Sequence, residues 1–171
     1  GYELWVTDGT EANTNLVSDI VSGIGSSGSA QLFNATFTSG SKLLFSATNG
    51  TNGIELWSSD ETGANTAMLK DINGSGNSSP QNFVQMNDAV YFTADDGTNG
   101  TELWKTDGTE SGTVLVKNIN GTAAGSSISG LTSLGSLLIF SATTATEGAE
   151  LWVSDGTTLG TTLLKDIVSG A

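Results

Sequence analysis

The sequence contains no cysteine, no histidine and no arginine, and only one proline among its 171 residues. The lack of cysteine excludes a disulfide framework, a thiol nucleophile and a thiolate metal site. Without histidine there is no Ser-His-Asp triad and no imidazole-ligated metal. Without arginine there is no bidentate clamp for a carboxylate or a phosphate, which a sialidase-type active site needs. These absences exclude several kinds of active site, although a pair of carboxylates could still hydrolyse glycosides.

Positive charge is scarce, because 5 lysines stand against 18 acidic residues and the formal net charge is −13. A nucleic-acid partner requires a basic patch, so we expect none. We also expect no membrane insertion, because no apolar run approaches the length of a membrane span, and we recognise no signal peptide. Divalent cations are the counterions that such an acidic surface attracts.

The chain does contain a phrase of about twenty residues that occurs four times. The copies begin at Gly1, Gly53, Gly100 and Gly148, and the third reads GTELWKTDGTESGTVLVKNI. The glutamates of the Glu-Leu-Trp triplets are separated by 52, 47 and 48 residues. Repetition at this period is typical of solenoids, propellers and other arrays. Since the chain begins inside a copy, we expect the native N-terminus to lie further upstream.

Each copy of the phrase predicts a β-hairpin. In the third copy the apolar triplet has strand character, Asp107-Gly108 is a strong turn signal, and residues 113–119 form a second strand rich in β-branched residues. The second copy differs, because Glu61 and Asn65 replace the two glycines of its turn. We therefore expect that loop to reach its turn geometry in another way.

A second, looser unit precedes the last three copies of the phrase. Its best example, residues 81–100, predicts strands over 82–86 and 89–94 joined by a tight turn. The equivalents lie at 31–53 and 131–148. Runs such as LLIF and AVYF place apolar residues at consecutive positions, which indicates that both faces of each sheet are covered. Each full repeat is thus predicted to be one four-stranded sheet.

We therefore predict an all-β chain, a β-propeller-like array of four-stranded antiparallel blades with about three and a half blades. The alternative is a β-solenoid or an open stack of hairpins. As one repeat domain, 1–171, the chain divides into a half blade at 1–28 and blades at 29–78, 79–127 and 128–171. Propellers close with about four to eight blades, so we expect this domain to be part of a longer array.

The phrases GTELWKTDGTESGTVLVKNI and GAELWVSDGTTLGTTLLKDI resemble the bacterial ELWxxDGT repeat, which occurs in tandem in large secreted or surface proteins. The resemblance covers essentially the whole chain. It implies a propeller-like β architecture and an extracellular or cell-surface location. It implies no activity, because members of the family have no commonly assigned reaction. The second copy, GIELWSSDETGANTAMLKDI, departs from the motif at Glu61 and Asn65.

The repeated aromatic residues have two interpretations. Aromatic faces stack on sugar rings, so four tryptophans would make a carbohydrate-binding surface. A structural role would instead place one tryptophan per blade at the same inter-blade position, and the strict periodicity favours this role. The predicted repeat core comprises Trp5, Trp57, Trp104, Trp152, Leu4, Leu56, Leu103, Leu151, Phe45, Phe92 and Phe140.

Carboxylates recur in two sets. The first set lies two positions before each tryptophan, on the same strand face: Glu3, Glu55, Glu102 and Glu150. Because catalytic groups need not recur in every repeat, we expect these to accept hydrogen bonds from a neighbouring blade. The second set lies in turns: Asp8, Asp60, Asp107, Asp155, Asp95 and Asp96. Turn capping is the favoured role. Ca²⁺ is the candidate cofactor, although it takes about six to eight oxygen ligands and each turn offers few.

The sequence thus favours a non-enzymatic extracellular or cell-surface scaffold for adhesion, assembly or protein–protein interaction. Its expected partner is another protein or further repeats of the same protein. The alternative is a lectin-like propeller that binds glycan through loops at one end. The third hypothesis is a glycoside-cleaving propeller enzyme, which needs a pair of carboxylates with at least one acid peculiar to a single repeat.

Overall fold

The computed structural model describes residues 1–28 and 31–168. Helical structure in these residues is confined to two one-turn 3-10 helices, Glu11–Asn13 and Gly63–Asn65. No helix among the described residues is long and apolar enough to cross a bilayer. The remaining regular structure is β, as the turn-rich, helix-poor sequence predicts.

Fourteen strands form four antiparallel sheets in the described part of the chain, and each sheet is built from consecutive strands. The N-terminal hairpin consists of β1 (Leu4–Val6) and β2 (Asn15–Ser18). Blade 1 consists of β3 (Leu32–Phe37), β4 (Gly40–Ala47), β5 (Glu55–Ser59) and β6 (Ala67–Lys70). Blade 2 consists of β7 (Gln81–Met86), β8 (Ala89–Asp95), β9 (Thr101–Thr106) and β10 (Val114–Lys117). Blade 3 consists of β11 (Ser129–Leu134), β12 (Leu137–Thr144), β13 (Gly148–Ser154) and β14 (Thr162–Lys165).

The three blades share one register between their second and third strands. In each blade the phenylalanine of the second strand lies opposite the tryptophan of the third: Phe45 and Trp57, Phe92 and Trp104, Phe140 and Trp152. Residues paired in this way project from the same face of the sheet. The strand from the looser unit and the strand from the repeated phrase therefore place these aromatic residues on the same face of every blade.

Each blade has two apolar faces. We call the side that carries Trp57, Trp104 or Trp152 with its paired phenylalanine the Trp face. We call the opposite side, which carries Leu56, Leu103 or Leu151, the Leu face. Along β8 successive residues alternate between the two sides, so Phe92 belongs to the core on one side and Tyr91 to the core on the other. The consecutive apolar residues of the sequence thus serve two faces at once.

The blades stack with the Leu face of one against the Trp face of the next. The core between blades 1 and 2 includes Leu44, Leu56, Ile72, Phe92 and Trp104. The core between blades 2 and 3 includes Leu103, Ile119, Leu138, Phe140 and Trp152. A smaller core joins Leu4 and Ile20 of the N-terminal hairpin to Phe45 and Trp57 of blade 1. The chain is therefore an all-β, β-propeller-like array of four-stranded sheets that bury their faces on one another.

The two ends of the array depart from the predicted equivalence of the repeats. Trp5 is 56% exposed, whereas Trp57, Trp104 and Trp152 are 7%, 6% and 7% exposed. The prediction that Trp5 is a core residue is wrong for this chain, because no blade among the described residues covers it. Leu151 is only partly buried for the same reason, whereas Leu4 packs on blade 1 and is only partly buried because its own sheet has two strands.

Candidate functional site

The recurring glutamate lies inside the junction between blades. Glu102 is fully buried, and its carboxylate accepts the Ile119 N–H at 3.0 Å and the Ser126 hydroxyl at 2.7 Å. Glu55 is also fully buried and accepts the corresponding bonds from Ile72 at 2.7 Å and Ser78 at 2.6 Å. The donors lie in the segment that leaves the glutamate's own blade. The expectation that they belong to a neighbouring blade is therefore corrected.

The same bonding extends to both ends of the chain. Glu3 is partly buried and accepts the N–H groups of Ile20 at 3.0 Å and Ser27 at 3.1 Å. Glu150 is 5% exposed and accepts the N–H groups of Ile167 and Val168, both at 3.0 Å. The carboxylate therefore satisfies backbone donors at the end of the phrase in all four copies.

A buried serine connects each of the first three glutamates to the next blade. Ser126 donates its N–H to the Thr101 carbonyl at 3.1 Å, and its own carbonyl accepts the Thr143 N–H of blade 3 at 2.7 Å. Its hydroxyl donates to Glu102, as noted above. We call this arrangement the Glu-Ser clamp, and Glu55–Ser78 repeats it. Glu3–Ser27 is a variant in which the Ser27 N–H donates to the carboxylate and its hydroxyl donates to the Tyr2 carbonyl. The clamp ties the third strand of one blade to the second strand of the next.

Sequence reasoning missed the clamp serines because they lie in linkers that read as Gly- and Ser-rich loops. The signal was a spacing: each serine follows its glutamate by 24, 23 or 24 residues. Ser27, Ser78 and Ser126 are 3%, 1% and 0% exposed, which is unusual for serine in a linker. Their burial is possible because the backbone N–H and C=O of each serine are hydrogen-bonded. In Ser78 and Ser126 the side-chain hydroxyl also donates to the glutamate carboxylate.

The ionisation of Glu102 follows from its surroundings. Burial raises the pKa of the Glu102 carboxyl, and hydrogen bonds from Ile119 and Ser126 oppose the shift without cancelling it. A raised pKa is also what a glycosidase requires of its general acid. However, Glu55 occupies the same position in blade 1 with the same kinds of donor. A position that recurs with its partners in successive blades is better explained by structure than by catalysis.

The turn aspartates bond to their own turns. Asp107 accepts both the N–H and the hydroxyl of Thr109, at 2.9 and 2.6 Å, and the hydroxyl bond is the main reason why the pKa of Asp107 is lowered. The same pair of bonds from a threonine two residues on occurs at Asp8, Asp60 and Asp155. These are Asx turns reinforced by a hydroxyl, as the turn-capping interpretation predicts.

The second copy closes its loop as the first copy does, with a one-turn 3-10 helix that the third and fourth copies lack. Glu61 has a φ of +71°, in the left-handed region where Gly9 and Gly108 have φ values of +93° and +83°. Asn65 donates its side-chain amide to Asp60 at 2.8 Å. The loop thus reaches its turn geometry in another way, as expected: without glycine, Glu61 adopts the left-handed conformation, at a cost of about 1–2 kcal/mol. Asn13 makes the corresponding bond in the first copy.

The acidic loop after β8 also binds its own backbone. Asp95 accepts the Gly97 N–H at 2.7 Å, and Asp96 accepts the N–H groups of Thr98 and Asn99 at 2.9 and 2.7 Å. Burial alone would raise the pKa of Asp96, but the bonds from Asn99 and Thr98 outweigh it and the pKa is lowered. Within residues 1–28 and 31–168, no three acidic side chains are grouped so as to hold a metal ion. Calcium binding stays a prediction.

Lysines link each blade to the turn of the next. Lys42 of blade 1 donates to the Gly108 carbonyl of blade 2 at 2.7 Å, and Lys105 of blade 2 donates to the Gly156 carbonyl of blade 3 at 2.9 Å. Lys117 reaches the Thr161 carbonyl of blade 3 at 2.7 Å. These three lysines therefore bridge the junctions between consecutive blades.

The turn glycines of blades 2 and 3 lie under aromatic side chains of the preceding blade. A Cβ on Gly108 would come within 2.9 Å of the Phe37 ring, and one on Gly156 within 1.9 Å of the Tyr91 hydroxyl. Burial raises the pKa of Tyr91, and the nearby Asp155 raises it further. Glycine is thus required at these turns for close approach as well as for its positive φ.

Three of the four indoles are unavailable as a sugar platform. Trp57, Trp104 and Trp152 are buried, and their Nε1 atoms have no hydrogen-bond partner among the described residues. Only Trp5, among the tryptophans, presents most of its surface to solvent. A repeated carbohydrate-binding surface built from all four copies is therefore inconsistent with this packing.

Comparison with known proteins gives the fold and nothing more. No family model matches the chain, and no curated protein matches it. A similar solved structure is that of a puromycin hydrolase, crystallised as a serine-to-alanine mutant in complex with PGG. The two structures align with a TM-score of 0.54 and 17% sequence identity. The alignment covers 79% of this chain and 20% of the hydrolase chain. At this identity the likeness supports the β-propeller-like architecture alone.

Proposed function

We propose that the chain is a non-enzymatic scaffold that associates through its end face with further ELWxxDGT-type repeats, in an extracellular or cell-surface setting. The observation that carries the proposal is the exposed Leu face of blade 3. Leu134, Leu164 and Ile167 are 70%, 54% and 66% exposed. Their counterparts in blade 2 are buried beneath blade 3: Met86, Val116 and Ile119, at 3%, 3% and 7% exposure.

The Leu face of blade 3 also carries a lysine at the position where lysines bridge the junctions between consecutive blades. Lys165 occupies the place in its phrase that Lys117 and Lys70 occupy in theirs. Lys117 donates to a turn carbonyl of the following blade, at Thr161, and Lys70 approaches the Glu110 carbonyl at 3.4 Å. A Trp face with its own Asp-Gly turn would offer Lys165 the same acceptors. Shape, apolarity and charge thus favour one class of partner, another repeat of this kind.

The expected strength of association is moderate. Burial of a large aliphatic side chain contributes about 1.5–3 kcal/mol, so three such residues supply several kcal/mol before the entropy of association is subtracted. The location outside the cell rests on the resemblance of the repeated phrases to the ELWxxDGT repeat. Adhesion and assembly are both served by a face of this kind.

The test is self-association of the chain, since the Trp face of its N-terminal hairpin is also exposed at Trp5. Wild-type protein is expected to form concentration-dependent, head-to-tail complexes in sedimentation velocity. A double variant, Leu164→Glu with Ile167→Lys, should stay monomeric. Leu159→Lys is the matched control, because Leu159 is 92% exposed in a turn. If wild type and double variant sediment alike at every concentration, the proposal is wrong.

A carbohydrate-binding function is the second candidate, on the strength of the exposed Trp5 indole. Binding on a glycan array that is lost in Trp5→Ala but retained in Leu159→Lys would favour it. A uniformly blank array would leave the scaffold as the better explanation.

A further inference from the structure

The dipeptide Asn-Gly occurs five times in the chain, each time in a loop between strands. In this dipeptide the backbone nitrogen of glycine can attack the side-chain amide carbon of asparagine, because no Cβ hinders the approach. The reaction requires a glycine N–H that is not hydrogen-bonded and an asparagine amide that water reaches. The pairs are Asn49-Gly50, Asn52-Gly53, Asn73-Gly74, Asn99-Gly100 and Asn120-Gly121.

Four of these pairs fail one of the two requirements. Gly50 and Gly121 each donate their N–H to a side-chain oxygen of a nearby residue, at 3.0 and 2.7 Å. Asn73 is 7% exposed, and Gly100 is buried. In each of these pairs the attack must wait until the loop opens locally.

The pair Asn52-Gly53 meets both requirements. Both residues are only partly buried, and the Gly53 N–H has no hydrogen-bond partner in the described part of the chain. They border a groove of about 320 Å³ between the β4–β5 loop and the linker that follows β6. The groove is otherwise lined by exposed residues, which are Thr51, Gly74, Ser75 and Gly76. Water therefore reaches the reacting groups.

Loss of the Asn52 amide would change its contact with Asp71. Asn52 donates its side-chain N–H to Asp71 Oδ2 at 2.8 Å and accepts the Asn49 amide at 2.9 Å. The other carboxylate oxygen of Asp71 is buried with no partner among the described residues. A carboxylate at position 52 would place two negative charges at hydrogen-bond distance. Blade 3 has a natural acid at the equivalent place, Glu147, but two threonine hydroxyls donate to it.

We propose that Asn52 is a site of spontaneous deamidation and that the product loosens the linker between blades 1 and 2. The Gly53 nitrogen gives its proton to water and forms a bond to the Asn52 Cγ. The bond from Cγ to the side-chain nitrogen breaks, ammonia leaves, and a cyclic succinimide remains. Water then adds to one of the two ring carbonyls, and the ring opens to aspartate or isoaspartate. The net change is uptake of one water and release of one ammonia, without an oxidant or a reductant.

The modified residue directly precedes the segment that holds this linker. Gly53 lies so close to the linker that a Cβ on it would come within 2.1 Å of the Gly76 carbonyl oxygen. The Ile54 carbonyl accepts the Ser78 N–H at 3.0 Å. Isoaspartate lengthens the backbone just before these contacts, and either product repels Asp71. Because the site lies within blade 1 and its linker, it does not depend on the Leu face of blade 3.

The first test follows all five pairs in one sample. The full chain is incubated in heavy-oxygen water at neutral pH and physiological temperature, and labelled aspartate and isoaspartate are then located by tandem mass spectrometry. In the folded protein Asn52 should react about tenfold or more faster than Asn49 and Asn120, which need local opening. In urea the five pairs should react at similar rates. Equal rates in the folded protein, or the same preference for Asn52 in urea, would overturn the site.

The effect on the linker is measured with the variant Asn52→Asp. Its backbone hydrogen exchange in residues 71–79 should be about tenfold faster than in the wild type. Addition of Asp71→Asn should restore the slow exchange, because the new carboxylate then has an amide donor. Thr51→Asp is the matched control: it adds the same charge to an exposed neighbour and should leave exchange unchanged. Unchanged exchange in Asn52→Asp, or equal acceleration in Thr51→Asp, would overturn the loosening.

Discussion

Blade 2 and the N-terminal hairpin contain the same phrase in two different surroundings. In blade 2, Trp104 is 6% exposed and Glu102 is fully buried, since a blade lies against each face. In the hairpin, Trp5 is 56% exposed and Glu3 is only partly buried. Yet both hairpins form the same Asx turn, and both glutamates bond the N–H of the isoleucine that ends the phrase. The phrase determines the hairpin, and the neighbours determine how much of it is core.

This comparison predicts unequal effects for chemically identical substitutions. The phrase supplies local hydrogen bonds in either surrounding, so those contributions should be similar at the two sites. Contributions from burial should be large in blade 2 and small in the hairpin. Paired variants separate the two kinds of contribution, because each hairpin residue is the control for its counterpart.

The largest difference is expected for tryptophan. Trp104→Ala should lower the free energy of unfolding by about 3–5 kcal/mol, because it leaves a cavity between blades 1 and 2. Trp5→Ala should cost less than about 1 kcal/mol, since the indole is mostly in solvent already. Urea denaturation of both variants measures the contrast. Equal losses at the two sites would show that the exposure of Trp5 does not describe the protein in solution.

A smaller difference is expected for glutamate. Glu102→Gln replaces a charged acceptor of buried N–H and O–H groups by a neutral amide, and should cost about 2–3 kcal/mol. Glu3→Gln should cost about 1 kcal/mol or less, because the Glu3 carboxylate is only partly buried. Thermal unfolding at neutral pH compares the two variants, and a Glu3→Gln variant as unstable as Glu102→Gln would contradict the claim that burial makes the two sites unequal.

The pH dependence of the stability of the Glu102→Gln variant is a second test of the same clamp. Since the folded-state pKa of Glu102 is raised above its ordinary value of 4.5, the folded protein binds this proton more tightly than the unfolded chain does. Ionisation of Glu102 therefore lowers the free energy of unfolding of the wild type as pH rises through the folded-state pKa. The glutamine variant has no carboxyl at this position, so its free energy of unfolding does not fall for this reason. The stability gap between wild type and variant should narrow as pH rises above about 4.5. A gap that widens would mean that the shift has the opposite sign.

The smallest difference is expected for the turn glycines. Gly9→Ala and Gly156→Ala both place alanine at a positive φ, +93° and +85°, which costs about 1–2 kcal/mol in each. A Cβ at Gly156 also meets the Tyr91 hydroxyl, whereas one at Gly9 meets nothing within 4 Å. Gly156→Ala should therefore be about 1 kcal/mol worse than Gly9→Ala. Truncation of Tyr91 to phenylalanine should reduce that difference, and a difference that persists would place the clash elsewhere.

The parts of the fold that were predictable depend on interactions within a few residues. The Asp-Thr turns, the hairpins and the two-sided strands follow from turn chemistry and from the alternation of side chains. Glu61 shows the limit of turn rules: they name glycine as the usual residue at this position, but the turn forms with φ at +71° without it. Asn65, bonded to Asp60, supplies one of the local contacts that hold the turn.

The sequence by itself determined that four copies of one phrase form hairpins, that each full repeat is a four-stranded sheet, and that the chain is all-β. Only the tertiary structure decided that Trp5 is exposed while Trp104 is buried. It also decided that Ser126 joins Glu102 to the next blade, and that Lys105 donates a hydrogen bond to a turn of the next blade. The physical reason is distance along the chain. Turn and strand preferences act over a few residues, whereas the Glu102–Ser126 bond of the clamp joins residues 24 positions apart. Burial of the blade faces and the Lys105 contact arise only when one blade is stacked on another.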